Sequence, residues 1–318
     1  MVLYDRYGRP LFGLRITVTH RCNYNCIYCH MEGEERADLV EMGVEEIARI
    51  VRIAAKFGVF RVKLTGGEPL VREDIVDIVD EISKIGGIKD LAMTTNASLL
   101  YDYAEKLAKA GLMRINVNLP SINPETYMRI TGSNFTPKEI IAGIREAKKF
   151  GIRPIKINMV LLRNLNDGEV DEMIKFAYKE NLILQLIELE PIGIDRNLYK
   201  DLHVDLGGIE KRIALRAVKV MVRRDMQNRR KYFLDNGAEV EIVKPIEDGS
   251  FCMACTRIRL TADGKLKPCL MRNDNLVDVL SRMRSGASDR ELEELFIMAV
   301  RRREPYWKKG DLHLKYSI

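Results

Sequence analysis

The run AAKFGVFRVKL at residues 54–64 reads as the end of a helix, a glycine, and then an alternating β-rich segment. The same order returns as LAKAGLMRINVNL at 107–119 and as AKKFGIRPIKINMVL at 147–161. Gly58, Gly111 and Gly151 stand where a helix closes on a left-handed residue, a conformation that costs glycine nothing sterically. The repeating unit is a helix followed by a strand.

Working outward, this unit predicts strands over 11–18, 59–65, 88–94, 113–119, 154–161 and 182–189, with helices over 44–57, 73–85, 99–110, 137–150 and 167–180 between them. One helix start is well marked: Thr136 is a hydroxyl N-cap, Pro137 lies in the first turn, and Glu139 follows three residues after the cap. Right-handed crossovers allow such a series either a doubly wound open sheet or a barrel. A closed TIM barrel needs more units than these, and the pattern is lost after Pro191. The expectation is an α/β fold: an incomplete (βα)6 TIM-type barrel over residues 1–231, and a C-terminal β-rich extension over 232–318. The extension contains EVEIVKP (239–245), which alternates like an edge strand. In either architecture functional groups collect at the carboxyl ends of the strands.

The chain has 318 residues, 46% apolar and 31% charged, well away from the composition of disordered proteins. Its start, MVLYDRYGRP, lacks the basic flank and apolar stretch of a signal peptide, and no run approaches the ~20 apolar residues of a membrane span. A cytoplasmic protein with no membrane partner is expected. The formal charge of +6 suits a phosphorylated ligand. Between Lys211 and Lys231, nine Lys or Arg face only Asp225. Because Ile213, Leu215, Val218, Val220 and Val222 are interleaved without base-stacking aromatics, the segment reads as a solvated helix face rather than a nucleic-acid surface.

In the cytoplasm, cysteines serve metal binding or catalysis more often than disulfides. All six fall into two triplets: Cys22, Cys26 and Cys29 in CNYNCIYC, and Cys252, Cys255 and Cys269 in FCMACTRIRLTADGKLKPCL. Thiolates so spaced suit zinc or an iron-sulfur cluster. For zinc at the first triplet, His20 and His30 are candidate fourth ligands without a finger spacing. The second triplet could be a zinc ribbon one cysteine short, with a hairpin turn at Ala262–Lys265 returning Cys269 to the CxxC pair. A cubane on three cysteines instead leaves one iron open, which is useful in a catalyst. The second predicted strand ends in TGGEP (65–69), where the glycines allow a ligand close to the backbone and Glu68 offers a carboxylate to a cation. Thr94, Thr95 and Asn96 end the third strand and Asn118 the fourth; each of these ends also fits a plain turn or loop cap.

CxxxCxφC with Tyr28 at the aromatic position resembles the signature of the radical S-adenosylmethionine (SAM) enzymes, and TGGEP resembles the segment that holds the SAM amino group there. A narrower resemblance runs through nearly the whole chain. It rests on YDRYGRPLFGLRITVTHRCNYNCIYC, LTGGEPLVR, TTN, the tract Lys156 to Asn158, LQLIELEPIG, and the tract from VEIVKP through KPCL. In these the chain is similar to the GTP 3',8-cyclase family, which begins molybdenum cofactor (molybdopterin) biosynthesis.

The resemblance implies two 4Fe-4S clusters, one on Cys22, Cys26 and Cys29 and one on Cys252, Cys255 and Cys269, each with an open iron. SAM would complete the first, and the guanine of GTP the second. It implies a lyase reaction: reductive SAM cleavage gives a 5'-deoxyadenosyl radical that takes hydrogen from C3' of GTP, and C3' then bonds to C8. Tyr28, Gly67, Asn118 and Glu190 match SAM contacts. Arg15, Lys63, Thr94, Lys156, Arg257, Ile258 and Arg259 match GTP contacts, with Arg257 and Arg259 also counted as catalytic. These two alternate on one strand face, and the rigid fork of arginine makes lysine a poor replacement there.

The chain departs from the family at Asn118 and Pro120, which replace a serine and an aspartate, and at Glu190, which replaces a methionine. It ends Leu-Lys-Tyr-Ser-Ile where the family commonly ends Gly-Gly. The implied partners are GTP, a low-potential reductant and, downstream, cyclic pyranopterin monophosphate synthase; a homodimer is compatible, and nucleic acid is not expected. Two other readings remain. A radical SAM enzyme with one auxiliary cluster, acting on a peptide, would keep both triplets but not need the converging cations. A zinc-stabilised nucleic-acid-binding protein would use the basic 211–231 segment and leave TGGEP without a purpose.

Overall fold

The computed structural model describes residues 1–34, 41–246 and 249–306. The six expected strands form as β1 (Gly13–Thr17), β2 (Arg61–Thr65), β3 (Asp90–Thr95), β4 (Arg114–Asn118), β5 (Ile155–Leu161) and β6 (Ile183–Glu188). The helices between them are α1 (Val44–Lys56), α2 (Ile75–Ser83), α3 (Leu100–Lys109), α4 (Pro124–Thr131), α5 (Pro137–Lys149) and α6 (Val170–Lys179). Helix α4 was not expected from periodicity. Its start is set by Asn123, whose side chain accepts from the backbone N–H groups of Glu125 and Thr126, ahead of a proline in the first turn. At α5 the expected capping box is present, with the Thr136 backbone N–H donating to the Glu139 carboxylate at 2.7 Å. Gly58, Gly111 and Gly151 hold φ angles of +84°, +95° and +86°, as the helix-closing reading requires.

Strands β1 to β6 pair in chain order and in parallel. The C-terminal part then lengthens the parallel sheet at both sides. β9 (Glu239–Val243) lies parallel beside β6, and β10 (Arg257–Leu260) lies parallel beside β1. Beyond β9 come β8 (Arg229–Leu234) and β7 (Ala217–Arg223), both antiparallel. Beyond β10 come β11 (Lys265–Lys267) and β12 (Val277–Asp278). β12 and β7 end the strand order, so the barrel stays open, and residues 231 and 232 lie together inside β8.

Two expectations are corrected. EVEIVKP forms no edge: β9 sits between β6 and β8. Its alternation has another origin, because Val240 and Ile242 enter the core while Glu241, fully buried, faces a polar interior rather than water. The basic 211–231 segment is not a helix face either. The helix stops at Leu215, and the rest is the β7–β8 hairpin. Val218, Val220 and Val222 recur every second residue, and β-branched side chains at that spacing fit a pleated strand better than a helix.

Alternation divides the sheet into two faces. Leu14, Ile16, Val62, Leu64, Leu91, Met93, Ile115 and Val117 are buried and join α1 residues Ile47, Val51 and Ala54 and α5 residues Ile140 and Ile144 in one core. Each large aliphatic side chain buried there contributes about 1.5–3 kcal/mol. The intervening residues Arg15, Lys63, Asn116, Asn158 and Gln185 border the interior instead. A polar lumen remains.

Candidate active site

One cavity of about 360 Å³ is bordered by all six cysteines. Cys22, Cys26 and Cys29 lie in the loop after β1, at the carboxyl end of the parallel strands. The second triplet lies at the other end: Cys252 and Cys255 precede β10, and Cys269 follows β11, which runs antiparallel to it. The expectation that chemistry gathers at the carboxyl ends therefore holds for the first triplet alone. The two triplets are separated along β1 and β10 by strands rising roughly 3.3 Å per residue.

Cations occupy the space between. Arg259 is in register with Arg15, and Arg15 with Lys63, so three neighbouring strands place a positive side chain at one height. In the next row Arg257 and Arg61 flank Gly13. A Cβ at Gly13 would stand 3.3 Å from Cγ of Arg257, so glycine keeps room for that side chain. Burial pushes Arg15 and Arg257 each down to about 10 and Lys63 well below the usual lysine value. Neighbouring cations add to the effect: Arg259 and Arg257 on Arg15, and Arg114 and Arg15 on Lys63. So dense a set of charges favours an anionic occupant.

The other expected residues divide. Thr94, Gly67, Tyr28, Asn118 and Glu190 border the cavity. Asn118 Nδ2 donates to the Tyr28 hydroxyl at 2.6 Å, and Glu190 lies 3.8 Å from Nε2 of His30. Lys156 does not border it; it is buried in an ion pair with Glu241, which also meets Arg223 and Arg229 at 3.3 and 3.1 Å. Ile258 points away, fully buried in the core between its two arginine neighbours. The tail at 314–318 lies outside the described residues.

The TGGEP turn is close-packed, but against protein. A Cβ on Gly66 would fall 2.4 Å from the carbonyl oxygen of Thr19, and one on Gly67 2.2 Å from that of Arg21. The Gly67 and Glu68 N–H groups donate to these same two carbonyls at 2.8 Å. The glycines thus dock the turn onto the segment leading into Cys22. Glu68 is fully buried and accepts from Leu70 N, the Thr95 hydroxyl and Asn96 N at 3.0, 2.6 and 2.6 Å. Burial outweighs those donors and pushes its carboxyl up to about 7. The candidate fourth zinc ligands are engaged elsewhere: His20 Nε2 contacts Glu34 at 2.7 Å, and His30 Nδ1 accepts from Glu32 N at 3.0 Å.

Sequence reasoning missed Glu32, Asn116, Arg114 and Arg229. Asn116 accepts from Lys63 Nζ at 2.9 Å and donates to Asn158 and Gln185 at 3.1 and 3.2 Å, forming a buried polar belt. Its signal was available, since Asn116 lies between Ile115 and Val117 and Asn158 between Ile157 and Met159, on the polar side of alternating strands. Glu32 carried none, being one acid among several after Cys29.

The radical SAM superfamily matches residues 16–177, and Molybdenum Cofactor Synthesis C matches residues 182–309. A protein of Thermococcus kodakarensis named "Probable GTP 3',8-cyclase" is 49% identical over 312 residues, covering 96% of this chain and 100% of that one. The chain belongs to the GTP 3',8-cyclase family of radical SAM enzymes. A relative of the same name from Methanothermobacter marburgensis is 46% identical, over 97% of this chain and 100% of its own. Streptococcus suis SuiB bound to S-adenosylmethionine shares the fold, with a TM-score of 0.63 at 18% identity over 89% of this chain and 64% of SuiB.

Membership of the radical SAM family brings SAM and an iron-sulfur cluster, and the donor set suits them. Burial, together with the Cys29 and Cys22 thiols, pushes Cys26 up to about 12, so three thiolates here need a strongly cationic centre. Among the described residues, no trio of His, Cys, Asp or Glu forms a site for a single metal ion. The cysteines of this GTP 3',8-cyclase family member border a larger opening.

Proposed function

We propose that this chain cyclises GTP between C3' and C8, the first step of molybdenum cofactor biosynthesis, using two 4Fe-4S clusters. One observation carries the reading: a single cavity has a cysteine triplet at each end and the row Arg259, Arg15, Lys63 between them. Cys22, Cys26 and Cys29 would hold the first cluster, and Cys252, Cys255 and Cys269 the second. When bound, SAM and the first cluster supply the radical that removes hydrogen from C3'.

The chain's own residues do the rest. Arg15, Lys63, Arg257 and Arg259 neutralise the nucleotide, with Lys156 adding charge from behind the wall. Charged hydrogen bonds of this kind are each worth about 1.5–3 kcal/mol. Thr94 offers a hydroxyl to the nucleotide, and Ile258 can meet it through the backbone alone. Tyr28, Gly67, Asn118 and Glu190 border the SAM end. Within the protein Glu32 offsets the row Arg259, Arg15, Lys63 only in part, and a triphosphate supplies the remaining negative charge where a neutral peptide would not, which favours the nucleotide.

The proposal extends to a low-potential reductant, to a synthase of cyclic pyranopterin monophosphate that takes the product, to a homodimer as an allowed assembly, and to a cytoplasmic location. No helix among the described residues is long and apolar enough to cross a membrane.

The test is anaerobic reconstitution. Iron and sulfide are counted, then SAM, dithionite and GTP are supplied and the nucleotide product is identified. About seven to eight irons per chain with a 3',8-cyclised nucleotide agree with the proposal. About four irons, or 5'-deoxyadenosine formed without any change in GTP, count against it.

A further inference from the structure

One residue past Cys29, after His30, the chain takes three consecutive left-handed residues, Met31, Glu32 and Gly33, with φ of +46°, +53° and +67°. For the first two, which carry side chains, this conformation is unfavourable by about 1–2 kcal/mol each and persists only where the surroundings hold it. At Glu32 the surroundings are explicit. Its buried carboxylate is ion-paired with Arg259, lies 3.4 Å from Arg15 Nη1 through both oxygens, and accepts from the Thr65 hydroxyl at 2.8 Å.

The next two residues fasten the same segment. The Gly33 carbonyl accepts from Lys267 Nζ at 2.8 Å. The Glu34 carboxylate accepts from the Thr17 hydroxyl at 2.5 Å and from Ala262 N at 3.1 Å. Residues 32–34 therefore join the loop of the first triplet to β10 and β11, which lead to the second.

Arg15 and Arg259 stand side by side on paired strands and repel each other; the carboxylate between them relieves this. Burial opposes ionisation of Glu32, but Arg15 and Arg259 outweigh it and hold the carboxyl far below its usual value. Arg15 is only partly satisfied, because its Nε is buried without a hydrogen-bond partner among the described residues. A substrate anion entering here meets arginines already aimed, but already partly neutralised.

We propose that Glu32 is a positioning residue: an internal counter-anion that orients Arg15 and Arg259 for the nucleotide and, in doing so, lowers the affinity of the cavity for anions. The proposal rests on the nucleotide reading of the cavity. A residue serving only to hold the fold would reduce binding and turnover together when replaced. A counter-anion separates the two, since its loss raises the positive potential while freeing the guanidinium groups to wander.

The test uses anaerobically reconstituted full-length chain and its Glu32→Gln variant, which keeps the shape and removes the charge. Dissociation constants are measured for GTP and for inorganic triphosphate, alongside product turnover and iron content. The expectation is roughly fivefold to tenfold tighter binding of both anions in the variant, as loss of one screened counter-charge implies. Turnover should fall by about tenfold or more from lost orientation, and Glu32→Asp should restore part of it. Equal or weaker anion binding in Glu32→Gln overturns the proposal.

Should Glu32→Gln fail to fold, Glu32→Ala, which removes the same charge without leaving a buried amide among the arginines, replaces it and should shift both readings in the same directions; unchanged affinity there also overturns it. Tighter binding of inorganic triphosphate in the variant, with no GTP binding in either protein, would uphold the counter-anion role and remove GTP as the substrate.

Discussion

Asn118 donates to the Tyr28 hydroxyl at 2.6 Å, joining the end of β4 to the loop of the first cysteine triplet. Both residues were expected to contact SAM separately, yet they hold each other. Tyr28 is largely buried, so its hydroxyl is shielded from bulk solvent. Tyr28→Phe leaves the Asn118 amide without this acceptor, and stability should drop by about 1–3 kcal/mol, read from the urea midpoint. No loss of stability would mean that the pair is incidental.

The arginines of β10 should respond unequally. Arg257 pairs with the neutral Gln227 side chain, whereas Arg259 pairs with the buried Glu32 carboxylate. Arg257→Ala should weaken GTP binding by about 1.5–3 kcal/mol, roughly tenfold to more than a hundredfold, with modest loss of stability. Arg259→Ala should add an unfolding penalty that approaches about 3–5 kcal/mol, because it leaves the buried Glu32 carboxylate only Arg15, at 3.4 Å, and the Thr65 hydroxyl. Iron content should hold in Arg257→Ala. Affinity and denaturation measured on the same samples separate the two effects.

Nucleotide binding should take up protons. In the free protein, burial lowers Lys156 to about 7 against the opposing pull of Glu241, and Lys63 is also depressed. A triphosphate in the cavity favours the ammonium form of Lys63, which borders it, and through space that of Lys156 behind the wall, and raises both values. Near pH 8 much of the Lys156 population is neutral before binding, so protons are absorbed; near pH 6 that lysine is already charged and uptake shrinks. Calorimetry in buffers of different ionisation enthalpy reads the difference. Proton release near pH 8 would contradict the electrostatic account.

Glu68 predicts a pH-dependent stability. Its folded carboxyl sits at about 7, above the ordinary 4.5. Between these values the unfolded chain has lost the proton and the folded chain keeps it, so stability is fullest below the lower value and declines as pH rises through the upper one. Glu68→Gln cannot ionise and should flatten that decline, even while lowering stability through its altered hydrogen bonding. Urea midpoints across the window check the slope.

Gly67→Ala should disturb the first triplet from a distance. The new Cβ would lie 2.2 Å from the Arg21 carbonyl oxygen, so the TGGEP turn and the segment entering Cys22 must separate. Overpacking of this kind costs about 1–3 kcal/mol, and the expected signature is a lower melting temperature with weaker SAM binding.

Strand order through β6 was legible because each unit repeats a local rule: a helix closed by a glycine, then alternation with period two. Both triplets were legible because cysteine is scarce and its spacing is short-range. β9 and the β7–β8 hairpin were misread where alternation was present but its polar side faces the lumen, or where charged residues masked a β-branched series. Glu241 and Glu32 show the cause: an acid facing buried arginines is indistinguishable, in one dimension, from an acid facing water.

From its residues alone, then, the chain determined its parallel βα series, the chemistry of its thiol donors and its family resemblance, all of which depend on neighbours a few positions apart. Tertiary structure decided that the triplets stand at opposite ends of one cavity, that Gly67 meets backbone, and that Glu32 lies between Arg15 and Arg259. The last of these joins residues 227 positions apart. Such relations are set by strand register and by the need to pair every buried charge, which no local pattern records.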